Sequence, residues 1–166
     1  MLKATIGPGA VPSADDHVGR FEEVLQIVAR SITQVRLHER LLRSAGVRLD
    51  RAGAALLHKL AAGGDSLRVT DLAEMLGVDT PTVTRKVQQL ERDEMVVRQT
   101  DPDDRRVTRI RLTLAGRQTL EQVRRARRAW LDHLLEGWDD GDLSTLANLL
   151  GRFADDLERD LDDARV

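Results

Sequence analysis

The stretch from Thr70 to Leu90 constrains this chain more than any other. Leu72, Ala73 and Leu76 share one face of a short helical period, and Gly77 interrupts it. Val83, Val87 and Leu90 then resume the period. Two short helices joined by a tight turn satisfy this spacing. Ala73 is small enough for the second helix to approach closely, and Gly77 supplies a permissive turn backbone. Val78 and Val83 are placed to plug the angle between the helices. Thr70 is the expected cap of the first helix, with Asp71 favourable at its positive end. Thr80 is the expected cap of the second, with Pro81 in the first helical position, where a missing N–H costs nothing.

The period then changes to two. Val96, Val97 and Arg98 read as a strand, and Asp101-Pro102-Asp103-Asp104 is a turn cluster. Between Val107 and Leu112, Val107, Arg109 and Arg111 alternate with Thr108, Ile110 and Leu112. This is a hairpin with a charged tip. A helix-turn-helix followed directly by a hairpin is a winged helix. Its second helix presents Thr82, Arg85, Lys86 and Gln89 outward. Arg can bond a guanine edge twice, Gln can bond adenine, and Lys and Thr reach phosphates. The N-terminus of that helix would offer free N–H groups to a phosphate. Candidate DNA contacts are therefore Thr80, Thr82, Thr84, Arg85, Lys86 and Gln89, joined at the wing tip by Asp104, Arg105 and Arg106. An Arg at the tip of a thin loop can enter a narrow minor groove, and an acid two positions earlier can hold it in a set orientation.

Longer helical patterns flank this unit. Phe21, Val24, Leu25, Val28, Ile32 and Val35 predict one helix from Asp16 to about Gly46. A second runs from about Asp50, with Ala54, Leu57, Leu60 and Ala61 on one face, and Gly63-Gly64 stops it. Leu67-Arg68-Val69 suits a minimal strand. Thr113 can cap a long helix to about Gly137, with Leu120, Val123, Trp130, Leu134 and Trp138 along its stripe. The last helix has the cleanest stripe: Leu143, Leu146, Ala147, Leu150, Phe153, Leu157 and Leu161. The fold class is mainly α with a small β-hairpin: a winged helix-turn-helix with N- and C-terminal dimerisation helices. The expected organisation is a flexible tail over 1–15, an N-terminal helix over 16–46, the winged domain over 47–116 and C-terminal dimerisation helices over 117–166. One winged domain is too small to cover both terminal apolar stripes, so symmetric pairing of two copies is expected to bury them.

A formal net charge of −2, taken as a total, disfavours a nucleic-acid partner. Its distribution reverses that inference. Residues 85–128 hold thirteen bases and seven acids, whereas residues 129–166 hold three bases and eleven acids. The basic block covers the second helix of the motif, the wing and the helix that follows. With no Cys, disulfides, thiolate zinc sites and cysteine redox switching are excluded. Two Trp, two Phe and no Tyr argue against a single-strand binder that stacks bases on aromatic platforms. The four His are widely separated and show no metal-ligand spacing, so no metal is expected. There is no nucleophile–base pair and no phosphate loop, so the chain does not read as an enzyme. The first twenty residues lack a charged start followed by an apolar run, and no stretch approaches the length of a membrane span. The expected compartment is the cytoplasm.

The segment Leu67 to Gly116 resembles the multiple-antibiotic-resistance regulator (MarR) family. The resemblance rests on the helix-turn-helix, then Asp104-x-Arg106 in the wing, then Leu112-Thr113-x-x-Gly116 opening the next helix. It implies a homodimeric, mostly helical transcriptional repressor whose two winged domains read a pseudo-palindrome in double-stranded DNA. Recognition helices roughly 34 Å apart meet successive major grooves. It also implies a small aromatic or phenolic effector, bound between the dimer helices and the winged domain, and no cofactor beyond that. One departure is Glu94-Met95, where many members have Gly before an apolar residue. The Arg124, Arg125, Arg127 and Arg128 run reads first as a solvated helix face, then as DNA contacts, then as partners of the acidic last helix. Trp130, Trp138 and Phe153 read as core or dimer interface. The alternative function is a winged-helix protein-interaction module that does not bind DNA.

Overall fold

The computed structural model describes residues 14–64, 66–101 and 107–163. Its helices and strands follow in the order α1 (Ala14–Ile32), α2 (Val35–Ser44), α3 (Arg51–Ala62), β1 (Ser66–Arg68), α4 (Val69–Leu76), α5 (Thr80–Arg92), β2 (Val96–Thr100), β3 (Thr108–Leu112), α6 (Leu114–Leu134) and α7 (Asp140–Asp163). The chain forms two compact units, Met1–Ala126 and Arg127–Val166. No helix among the described residues is long and apolar enough to cross a membrane.

The first unit is built around one core. Leu56, Leu57 and Leu60 of α3 meet Leu72 and Ala73 of α4, Val83, Val87 and Leu90 of α5, and Val96, Ile110 and Leu112 of the sheet. Each large aliphatic side chain buried here is worth roughly 1.5–3 kcal/mol. The three strands form one antiparallel sheet in the order β1-β3-β2. Leu67 faces Ile110 across one ladder, and Arg98 faces Ile110 across the other. The period of two puts Ile110 and Leu112 inside and Arg111 outside. A smaller cluster of Leu42, Ala54 and Val123 ties α2, α3 and α6 together.

Two glycines make the close turns. Gly77 has φ 63°, a left-handed cap that ends α4. Gly116 sits against the turn into the wing, where an added Cβ would lie 2.2 Å from the Met95 carbonyl oxygen. Thr113 then caps α6 as expected, its Oγ1 accepting from the Gly116 N–H at 3.0 Å. The same hydroxyl donates to the Glu94 carbonyl at 2.6 Å.

Several sequence expectations need correction. The single helix over 16–46 is two helices, broken at Thr33-Gln34. Gln34 takes an extended backbone (φ −58°, ψ 128°), and its carbonyl starts α2 by accepting from the His38 N–H. The Thr33 hydroxyl donates to the Ala29 carbonyl at 2.7 Å, competing at the end of α1. Val69 begins α4 and is not part of β1; the cap position is Arg68, so Thr70 lies inside the helix. Asp71 does act in the first turn, accepting weakly from the Arg68 N–H at 3.4 Å. Ala61 is exposed, and Leu56 takes the buried place on α3. Val78 is 43% exposed, so of the two residues expected to plug the angle between α4 and α5 Val83 is the buried one. The tail expected over 1–15 lies almost wholly outside the described residues.

Candidate nucleic-acid interface

The geometry of α5 follows from its two ends and one face. Asp79, not Thr80, is the N-cap: its Oδ1 accepts from the Thr82 N–H at 2.7 Å. A carboxylate is a stronger acceptor than a hydroxyl and also meets the positive end of the helix dipole. Pro81 therefore occupies the second helical position. The Thr82 hydrogen bonds hold the Asp79 carboxyl below the usual carboxylate range, with help from the Arg85 charge. The number of N–H groups that the helix end can offer to a phosphate is smaller than its register alone suggests. Asp79 already takes the N–H of Thr82, and Pro81 has none.

Val83, Val87 and Leu90 anchor the inner face in the core. The opposite face exposes Thr80, Thr82, Arg85, Gln88, Gln89 and Arg92. The period of the helix aligns Arg85 with Gln88, Gln89 and Arg92. Gln88 and Arg92 were missed in the sequence reading, although the same spacing marks them. No ion pair holds Arg85 or Arg92 among the described residues. Thr84 is half-buried and its hydroxyl donates to the Thr80 carbonyl at 2.9 Å, so it is drawn into the helix. Lys86 also departs from the outward placement expected of it. Its side chain is 19% exposed, and Nζ donates to Asp50 Oδ2 at 2.6 Å and to Gln89 Oε1 at 2.8 Å.

Asp50 is a third residue that sequence reasoning did not connect to this face. It caps α3, with Oδ1 accepting from the Gly53 N–H at 2.8 Å, while Oδ2 receives Lys86. Burial pushes its carboxyl up, but the hydrogen bonds from Lys86 and Gly53 outweigh that and hold it below the usual range. Asp50 and Lys86 stand 36 positions apart, so no local pattern signals the pair.

The wing is closed at its base by Asp101, which is 3% exposed and ion-paired to Arg109. The Asp101 N–H donates to the Val107 carbonyl at 2.9 Å. Arg98 of β2 bonds Glu91 of α5 at 3.1 Å and ties wing to helix. Asp104, Arg105 and Arg106, the expected tip residues, lie outside the described residues. In the arginine run, Arg124 and Arg125 both donate to Glu121, and Arg128 donates to Asp132. These bonds lower the Glu121 carboxyl to about 2. These pairs form within α6. An apolar cleft of about 360 Å³ opens beside α5, lined in part by Arg51, Ala55, Leu76, Val78 and Thr82. Among the described residues no group of three or more His, Asp or Glu could hold a metal ion.

Comparison with known proteins adds the family. A family model described as the MarR family matches residues 51–108. YxaD of Bacillus subtilis, an uncharacterized HTH-type transcriptional regulator, is 32% identical over 104 residues, covering 63% of this chain and 72% of YxaD. YdgJ of the same organism, with the same description, is 29% identical over 93 residues. That match takes in 56% of this chain and 57% of YdgJ, so it spans little more than half of that relative. A solved MarR family protein from Bacillus stearothermophilus has the same fold, with TM-score 0.73 and 22% identity over 89% of this chain and 99% of that one. Two more distant structures share the fold. An S. aureus MepR mutant, bound to an oligodeoxyribonucleotide, has TM-score 0.60 and 20% identity over 82% of this chain and 97% of its own. The organohalide-sensing regulator RdhR, in a 2,4-dichlorophenol-bound form, has TM-score 0.55 and 20% identity over 93% of this chain and 89% of its own. The chain belongs to the MarR family, whose members are transcriptional regulators and not enzymes.

Proposed function

We propose that this chain is a sequence-specific, double-stranded-DNA-binding regulator that works as a homodimer, most simply as a cytoplasmic repressor released by a small effector. The observation that carries the reading is the outer face of α5. It exposes Arg85, Gln88, Gln89 and Arg92 while Val83, Val87 and Leu90 fix the helix rigidly on the core. A rigid helix bearing Arg and Gln is the ordinary instrument of major-groove readout. Thr80 and Thr82 at its start are phosphate contacts in this reading. Arg106, with Asp104 and Arg105 near it in sequence, is the minor-groove contact in this reading. Thr84 and Lys86 act through the helix and its supports. The DNA held by the MepR mutant is consistent with the same use of the fold.

Each unit leaves an apolar stripe uncovered, which supports the dimer. On α1, Val24, Leu25, Val28 and Ile32 are all exposed; on α7, Leu149, Leu150, Leu157 and Leu161 are. A second copy of the chain is the occupant with matching chemistry. The domain organisation proposed is a dimerising segment on each side of the winged domain over 47–116. An aromatic or phenolic effector fits an apolar cleft, and one seated beside α5 would touch Thr82 directly. The coupling it needs is about 1–3 kcal/mol. Selection from a random duplex library tests the function. The expected result is two inverted half-sites about one helical turn apart. Enrichment of a single half-site contradicts the dimer, and no enrichment contradicts DNA reading and favours a protein partner.

A further inference from the structure

Lys86 and Gln89 form one unit, and its chemistry narrows what α5 can read. A glutamine facing adenine uses both ends of its amide: the NH2 donates to N7 and the oxygen accepts from N6. Here the Gln89 oxygen is already engaged, accepting from Lys86 Nζ at 2.8 Å. Lys86 is itself held from the other side, donating to Asp50 Oδ2 at 2.6 Å. Asp50 cannot swing away freely, because its second oxygen caps α3 at Gly53. Gly53 is the residue that tolerates this arrangement: an added Cβ would lie 2.7 Å from a Leu49 methyl and 3.1 Å from Asp50 Oδ1. The chain of bonds therefore runs from the N-terminus of α3 to an exposed residue of α5.

We infer that Gln89 is a donor-only reader: Lys86, positioned by Asp50, occupies its oxygen, so Gln89 selects guanine and not adenine. The second lone pair of that oxygen lies beside the Lys86 ammonium, whose charge disfavours a further donor there, so the NH2 is the end left for a base edge. Guanine offers two acceptors, O6 and N7, whereas adenine offers one acceptor beside a donor that would have to meet the Lys86 charge. Asp50 and Lys86 are positioning residues in this account; Gln89 is the specificity residue. The inference rests on the duplex-binding reading above.

The test is selection on a random duplex library with four proteins: wild type, Gln89→Ala, Lys86→Met and Gln89→Arg. The position that loses its preference in Gln89→Ala is the one Gln89 reads. At that position the wild type is expected to prefer guanine over adenine about tenfold. Lys86→Met frees the amide oxygen, and the preference is expected to move to adenine. Gln89→Arg is donor-only by covalent structure, and it is expected to keep guanine. A loss of stability alone would weaken binding to every sequence and would not change the base chosen. Adenine in the wild type overturns the inference, as does the same base in wild type and Lys86→Met. So does a Gln89→Ala selection with no position lost. If Lys86→Met fails to fold, the Gln89→Arg arm still decides: a shift away from the wild-type base overturns the inference. Failure of the wild type to enrich any duplex is a different result, because it removes the DNA-binding reading itself.

Discussion

Glu94 carries a left-handed backbone, φ 57°, with a full side chain. That conformation costs a non-glycine residue roughly 1–2 kcal/mol. The surrounding bonds hold it there. Its carbonyl accepts from the Thr113 hydroxyl, and the Met95 N–H donates to the Leu90 carbonyl at 2.9 Å. Glu94→Gly should relieve the strain, less about 0.5–1 kcal/mol for the looser unfolded chain. The expected net gain is up to about 1.5 kcal/mol in urea unfolding; a loss of stability would contradict the strain argument. Asp79 makes a second prediction at this scale. Its carboxyl titrates below the unfolded-state value of about 3.9, so its contribution to stability is complete above that pH. The contribution fades as the pH falls through the lowered folded value. Asp79→Asn keeps an N-cap acceptor but not the charge. Acid titration of stability should lose part of its slope below about pH 4 in this variant, and an unchanged slope would show that the cap charge is idle.

The elements were legible in sequence where a period and its punctuation agreed. The core positions of α5 follow from the spacing of Val83, Val87 and Leu90, and α4 stops at Gly77 as expected. Errors arose where two neighbours could each do the same job. Asp79 and Thr80 are both competent caps, and only the backbone register decides between them. The break between α1 and α2 was invisible because the apolar period runs unbroken from Phe21 to Val35, with neither Gly nor Pro at Gln34. Tertiary pairs such as Asp50 with Lys86 carry no local signal at all. Asp101 was read as a turn residue, but its partner lies across the wing on β3. The pair matters at the scale of the wing. Breaking a fully buried pair costs roughly 3–5 kcal/mol. The Arg109 side chain is 36% exposed, so solvent compensates part of that. Asp101→Ala should cost about 1–3 kcal/mol and raise amide exchange in β2 and β3 before α3. Uniform exchange across the first unit would contradict a local role.

At the scale of the whole molecule, charge and apolar surface carry the argument. The near-neutral total conceals a basic central block and an acidic terminal one. The basic block contains the exposed Arg85, Arg92 and Arg111. Its other cations are partly spoken for: Lys86, Arg98 and Arg109 pair with acids in the winged domain, and Arg124, Arg125 and Arg128 pair within α6. Counting bases in the sequence therefore overstates the number available to phosphates. This limits the expected salt dependence as well as predicting it. Neutralising each phosphate contributes about −0.9 to the slope of log affinity against log salt.

That slope tests the central claim most directly. Affinity for a duplex bearing the selected site should be measured from low to physiological salt for the wild type and Arg85→Ala. A steep decline with salt is expected in both proteins. Arg85→Ala is expected to lose on the order of 1–3 kcal/mol on the selected site and much less on unrelated duplex. A flat salt response, or equal loss on every sequence, would contradict duplex reading by the exposed face of α5.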